Sequence, residues 1–178
     1  EYVICSAMLL LRRAFQKNIE MISGVWPRQE SSGLEVRGKT IGLIGYGDIA
    51  QRTNVIAKSL GMKVVAFDPY INASSDLWRD TEKLSLDKLL RVSDVISLHI
   101  PLNKETNNLL DEKKLSLVKP SAVLINSARG GILDENALSK ALRENRIRGA
   151  ALDVFSEEPL SEEKAKKFSQ LNNIILTP

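Results

Sequence analysis

Thr40-Ile-Gly-Leu-Ile-Gly-Tyr-Gly-Asp-Ile-Ala50 is the stretch on which the reading of this chain turns. The apolar run Thr40–Ile44 predicts a buried strand, Gly45 and Gly47 a tight turn, and the residues from about Asp48 the start of a helix. The spacing G-x-G-x-x-A is a permitted form of the dinucleotide-binding fingerprint. Gly45 lets the chain turn sharply off the strand. Gly47 has no Cβ, so a pyrophosphate can approach the backbone. Ala50 is small enough for close packing of helix on strand. The new helix presents free N–H groups and partial positive charge to a phosphate, through the backbone of Asp48 and Ile49.

The fingerprint alone is weak, and its flanks strengthen it. Gln51–Leu60 continues the helix and Gly61 closes it. Lys63-Val-Val-Ala-Phe67 predicts a second buried strand ending at Asp68, about twenty residues beyond the turn, where a carboxylate meets the ribose 2′-hydroxyl of a dinucleotide. An aspartate there repels a 2′-phosphate, so the expected cofactor is NAD rather than NADP.

Composition sets the class. The 178 residues are 43% hydrophobic and 26% charged, as expected for one α/β domain with a sizeable core. Net charge is +3, with basic residues scattered among acids apart from Lys164-Ala-Lys-Lys167, and no aromatic-interleaved basic patch suggests nucleic-acid binding. No metal is expected. The single cysteine, Cys5, excludes an internal disulfide and fits a reducing, cytoplasmic setting; its apolar surroundings predict a packed core residue. Tyr2–Leu11 is apolar but too short to span a membrane, and it lacks the leader and cleavage site of a signal peptide. Both ends look cut, at a helix on one side and at Thr177-Pro178 on the other, so the chain reads as part of a larger protein.

Along the chain, Tyr2–Asn18 has helical spacing with apolar residues on more than one face. It is therefore expected to be deeply buried or to pack on a second subunit. Ser23–Gly38 reads as a loop. After the fingerprint unit come a loop over Tyr70–Asp80, a short strand at Glu82–Leu84, a helix capped by Ser85, a strand Val95–Leu98, a helix Asp111–Val118, a strand Ala122–Asn126, a helix Asp134–Asn145, a strand Gly149–Asp153, a helix around Ser161–Phe168 and a last strand Ile174–Leu176. This alternation of apolar strands and helices predicts a doubly wound α/β fold. Its parallel sheet has six or seven strands with helices on both faces. Asp68, His99, Arg129, Asp153 and Glu158 all fall just past strand ends, where such folds place their ligands.

At these residues the chain resembles the D-isomer-specific 2-hydroxyacid dehydrogenases. The resemblance is carried by Gly38-Lys-Thr-Ile-Gly-Leu-Ile-Gly-Tyr-Gly-Asp-Ile-Ala50, Ser97-Leu-His-Ile-Pro-Leu102 with Thr106, Ile125-Asn-Ser-Ala-Arg-Gly-Gly131 with Asp134, and Ala151-Leu-Asp-Val-Phe-Ser-Glu-Glu-Pro159. Their order and spacing match the family over the whole length, closest to the phosphoglycerate dehydrogenase and glycerate/glyoxylate reductase branch. The resemblance implies that residues 1–178 are an NAD-binding domain, with a substrate domain built from flanking segments. It also implies a homodimer formed through this domain and a catalytic histidine in a Thr-Pro-His run, directly after Pro178.

The resemblance gives each residue a role. Arg129 binds the carboxylate of a 2-oxo or 2-hydroxy acid and polarises the keto oxygen; its planar fork of donors suits that task. Glu158, rather than Glu157, supports the catalytic histidine and raises its pKa. Formate dehydrogenases of the same fold have glutamine there. Asp153 lies near the nicotinamide, with a capping or turn aspartate as the alternative. Ser127 and Ala128 line the nicotinamide side; Ile100, with Pro101, lines the adenine side. His99, the only histidine, is expected to be a wall of the cofactor pocket or a satisfied histidine rather than the base. Asp48 departs from the family's usual arginine or histidine and brings a negative charge near the pyrophosphate. Two function classes remain open on sequence: an NAD-dependent dehydrogenase, and a co-repressor module of the same fold that uses NAD as an assembly ligand. A purely structural α/β domain is a third, weaker reading.

Overall fold

A computed structural model describes residues 1–26 and 33–178. Its elements are α1 (Tyr2–Arg12), α2 (Ala14–Ile22), β1 (Thr40–Ile44), α3 (Asp48–Ser59), β2 (Lys63–Phe67), β3 (Glu82–Lys83), α4 (Leu86–Val92), β4 (Val95–Leu98), α5 (Glu112–Leu115), β5 (Val123–Asn126), α6 (Glu135–Arg143), β6 (Gly149–Leu152), α7 (Glu162–Ala165) and β7 (Ile174–Leu176). The seven strands form one sheet in the order β3-β2-β1-β4-β5-β6-β7. Every neighbouring pair is parallel. All carboxyl ends therefore share one edge. The strand order reverses between β1 and β4, which opens a crevice there.

Alternation within each strand feeds two cores, one on each face. Ile41 and Leu43 of β1, Val95 of β4, Val123 and Ile125 of β5 and Ala151 of β6 face α1 and α3. Val65, Ile96, Leu98, Leu124, Ala150 and Leu152 face the other way, toward Leu89 and Leu90 of α4 and Leu138 and Leu142 of α6. Local chemistry starts the helices, at Ser85 where a cap is expected and at three further residues. Ser85, Asp111, Asp134 and Ser161 each accept a backbone N–H in the first turn of α4, α5, α6 and α7.

The N-terminal segment differs from the single helix expected over Tyr2–Asn18. Arg13 takes a left-handed conformation (φ 54°) and splits it into α1 and α2. The cause is tertiary. The Leu11 carbonyl accepts from Leu34 N–H (3.0 Å) and from the Arg148 guanidinium (3.1 Å), which draws it out of the helical ladder. Helix α1 then buries one stripe, Val3, Ile4, Ala7, Leu10 and Leu11, beneath the sheet. Cys5 lies outside that stripe and is exposed, contrary to its expected core position. The apolar surplus sits instead on and after α2, where Ile22 is 80% and Trp26 71% exposed.

The expected loop over Ser23–Gly38 is present at residues 23–26 and 33–38; residues 27–32 lie outside those described. Helix α5 stops at Leu115, before the expected Val118, because the next N–H groups bond three residues back (Leu117 to Lys114, Val118 to Leu115) and tighten the chain ahead of Pro120. Helix α7 likewise passes into a 3-10 turn over Lys166–Phe168. Left-handed φ costs a branched side chain about 1–2 kcal/mol and glycine almost nothing. Arg13→Gly is therefore expected to leave thermal stability unchanged or raise it by about 1 kcal/mol, and Arg13→Val to lower it, as read by calorimetry.

Candidate functional site

The carboxyl edge of the sheet carries two adjoining clefts. The first, about 450 Å³, lies in the crevice at the strand-order reversal and is lined by Gly47–Ala50, Leu98–Pro101 and Ser127–Arg129. The second, about 480 Å³, lies over β6 and β7 and is lined by Asp153–Phe155, Glu158–Leu160 and Leu176–Pro178.

The first cleft fits a dinucleotide phosphate. Gly45 has φ +87°, and a Cβ there would lie 2.6 Å from the His99 carbonyl oxygen. The glycine turn is thus pressed against the chain leaving β4. Gly47 is different: a Cβ added to it would meet no protein atom within 4 Å, so the space in front of it is open. Helix α3, 12 residues long, starts there with no side-chain cap on its N-terminus. Its first N–H groups and its dipole face the cleft. Ile49 is 71% exposed at the same place, an apolar side chain that a ligand would cover. Asp48 is the acidic residue of the first turn and favours the helix electrostatically. Ala50 is fully buried and lets α3 seat on the sheet, as its size requires.

Asp68 stands outside the lining of this cleft, at the end of β2. One carboxylate oxygen accepts from Tyr46 N–H (2.9 Å) and the other from Tyr70 N–H (2.9 Å). Both oxygens of the acid are thus occupied by backbone N–H groups, and it is held against the glycine turn. His99 lines the cleft, and its Nε2 lies 2.9 Å from Ser97 Oγ. Burial pushes its pKa down to about 4, so the ring is neutral at physiological pH and forms a wall.

Arg129 shares the first cleft with the α3 N-terminus. Its side chain is exposed and spends one donor on the Ala128 carbonyl (2.6 Å), which leaves four. Glu158 lines the second cleft; one oxygen accepts from Phe155 N–H (2.8 Å). Asp153 lies in the second cleft as well, apart from Ser127 and Ala128, and accepts a hydrogen bond from Thr177 Oγ1. Ser127, Ala128, Ile100 and Pro101 all line the first cleft. Among the described residues no cluster of His, Cys, Asp and Glu side chains is placed to hold a metal ion.

Three positioning residues escaped the sequence reading. Buried Asn126 donates to the Arg129 carbonyl (3.0 Å) and accepts from Ala128 N–H (3.1 Å), which fixes the turn that carries Arg129. Glu135 is buried on α6, accepting from Ser156 N–H (2.6 Å) and from Lys167 Nζ (2.8 Å); it holds the loop that leads to Glu158. A carboxylate on the helix face of Leu138 and Leu142 was the available signal. Tyr46, between the two glycines, is buried and stacks on Trp78 with ring centres 5.2 Å apart. Gly130 ties the two clefts together, since a Cβ there would fall 1.7 Å from the Phe155 carbonyl oxygen.

Residues 4–178 match the family model described as D-isomer specific 2-hydroxyacid dehydrogenase, NAD binding domain. The chain belongs to this family. It is 42% identical over its full length to (S)-sulfolactate dehydrogenase of Chromohalobacter salexigens, covering 57% of that protein. It is 41% identical over its full length to D-3-phosphoglycerate dehydrogenase of Haemophilus influenzae, covering 43% of it. Among solved structures, D-lactate dehydrogenase with NAD+ from Lactobacillus jensenii superposes with a TM-score of 0.90 at 32% identity; the match covers 99% of this chain and 56% of that one. The chain thus spans about half the length of the relatives it matches. It is the NAD-binding domain of a D-2-hydroxyacid dehydrogenase fold, and the co-repressor reading finds no relative among these three.

Two outcomes test this geometry. Gly130→Ala in this NAD-binding domain is expected to lower the midpoint of thermal unfolding and weaken NADH binding together, because the loops of both clefts must separate. A buried neutral histidine with its pKa lowered from 6.5 to about 4 stabilises the fold at neutral pH, and that contribution is lost as pH falls through this window. His99→Gln is therefore expected to flatten the loss of stability between pH 6.5 and 4, measured by denaturant titration at each pH.

Proposed function

We propose that the whole protein is an NAD-dependent oxidoreductase that interconverts a small 2-hydroxy acid and its 2-oxo acid, with residues 1–178 as its cofactor domain and flanking segments forming a substrate domain. One observation supports this most directly: Arg129, a fixed cation with free forked donors, opens into the same cleft as the uncapped α3 N-terminus. A carboxylate on Arg129 would lie beside the reactive end of a dinucleotide whose phosphates sit on Asp48 and Ile49.

When bound, NADH supplies the hydride. The protein supplies position and charge. Asp68 accepts from the ribose hydroxyls and disfavours a 2′-phosphate. The turn Ser127–Arg129, braced by Asn126, presents the guanidinium to the substrate carboxylate and keto oxygen. Glu158 keeps one oxygen on Phe155 N–H and offers the other to a histidine of the complete active site, favouring its protonated form. Asp153, steadied by Thr177, orients the nicotinamide end. The reducing cytoplasm, with its NAD pool, is the proposed setting. The exposed Ile19, Ile22 and Trp26 surface is the proposed contact with a second copy.

Steady-state kinetics of the whole protein test these roles. Asp68→Ala is expected to raise NADPH use relative to NADH by about tenfold or more; a wild-type enzyme that prefers NADPH would contradict the Asp68 role. Arg129→Lys is expected to lose at least about a hundredfold in kcat/KM, since one ammonium cannot replace a two-pronged contact. Glu158→Gln is expected to move the alkaline limb of 2-oxo acid reduction to lower pH, because the histidine loses support for its charged form. Ile22→Asp is expected to shift sedimentation from dimer toward monomer.

A further inference from the structure

The loops that follow β2 and β4 meet in front of the glycine turn. In the sheet, β1 lies between those two strands, so a contact between their loops spans the end of β1. Tyr70, exposed on the β2 loop, donates its hydroxyl hydrogen to the Glu105 carboxylate on the β4 loop at 2.6 Å. The same tyrosine donates its backbone N–H to Asp68 Oδ1 (2.9 Å), the acid assigned above to the ribose. One residue thus connects the carboxylate assigned to the ribose to the loop whose first residues, His99–Pro101, line the crevice.

Both loops are held independently of this bond. On the β2 side, Lys83 Nζ donates to the Ile71 carbonyl (2.7 Å) and Trp78 Nε1 to the Asn72 carbonyl (3.0 Å). Trp78 itself stacks on Tyr46 with an interplanar angle of 12°. On the β4 side, Asn103 Oδ1 accepts from Glu105 N–H (2.8 Å) and Thr106 N–H (2.9 Å), while Thr106 Oγ1 donates to the Pro101 carbonyl (2.7 Å). Neither loop needs the Tyr70–Glu105 bond for its own shape. The bond acts between them. The Glu105 hydrogen bond, then its charge, raise the Tyr70 phenol above its ordinary pKa, so the donor keeps its proton through the physiological range.

We propose that Tyr70 and Glu105 form a clasp across the adenosine end of the cofactor cleft, which opens to admit and release the adenosine half of NAD and so sets the rate of cofactor exchange. The proposal rests on Asp68 marking the ribose site. A clasp that closes equally over the empty and the occupied cleft slows entry and exit alike and changes affinity little. A hydrogen bond to a charged acceptor at an exposed site accounts for rate effects of about three- to tenfold.

The test is stopped-flow binding to the whole protein, with NADH, ADP-ribose and reduced nicotinamide mononucleotide as probes. Tyr70→Phe and Glu105→Ala are each expected to raise both association and dissociation rates for NADH and ADP-ribose by about three- to tenfold, with Kd changed less than about twofold. The double variant is expected to add nothing further, because both changes break one bond. Glu105→Gln keeps an acceptor for the tyrosine and is expected to remain near the wild-type rates; equal acceleration in Gln and Ala would show a charge effect and overturn the clasp. Reduced nicotinamide mononucleotide, which lacks adenosine, is expected to bind all variants at one rate; acceleration of this probe too would mark a general loosening and overturn the proposal. Unchanged NADH rates in both single variants would also overturn it. Failure of the wild-type protein to bind NADH at all would instead overturn the cofactor-site reading on which the clasp is built.

Discussion

The contact between Gly45 and the carbonyl of His99 is the constraint on which the site depends. At this point β1 ends, the chain turns with positive φ, and the strand leaving β4 passes directly above. A side chain at Gly45 would separate β1 from the β4 loop and move the start of α3. That start leaves the crevice with an uncapped helix N-terminus and open space before Gly47, the features on which its proposed use as a phosphate site rests. The parallel sheet enforces the rest. It brings every strand end, and every polar residue that follows one, to a single edge.

A second close approach organises the loops that follow β5 and β6. Gly130 lets the Arg129 turn lie against the Phe155 backbone, and the buried acceptors Asn126 and Glu135 fix the two loops from below. Both are polar groups inside an apolar layer, and every side-chain nitrogen and oxygen of both has a hydrogen-bond partner. That satisfaction matters in a buried position, where an unpaired group costs about 1–3 kcal/mol. Arg129 and Glu158 are by contrast exposed, with donors and acceptors to spare. The machinery that holds is buried; the groups assigned to meet a ligand are open.

Charge is distributed to match. The cleft nearest α3 combines a helix N-terminus and Arg129, two sources of positive potential, with one carboxylate, Asp48. The carboxylates Asp68, Asp153 and Glu158 lie toward the periphery, each with an oxygen already anchored by a backbone N–H or a hydroxyl. His99 adds no charge, because burial keeps it neutral.

The sequence by itself determined the doubly wound sheet and the strand ends at which its polar residues gather. Those features rest on local signals: apolar runs of strand length, Gly45 and Gly47 at fixed spacing, a cap at Ser85, and an acid directly after Phe67. They are legible because backbone geometry, capping and strand burial depend on neighbours in the chain. Tertiary structure decided what involves residues far apart. The split at Arg13 follows from Leu34 and Arg148 bonding to the Leu11 carbonyl, which no helical periodicity reveals. Cys5 is exposed because the sheet selects one stripe of an apolar helix to cover. Asn126, Glu135 and the Tyr70–Glu105 bond acquire meaning only when separate loops are set side by side, because a hydrogen bond is fixed by distance and direction in space rather than by separation along the chain.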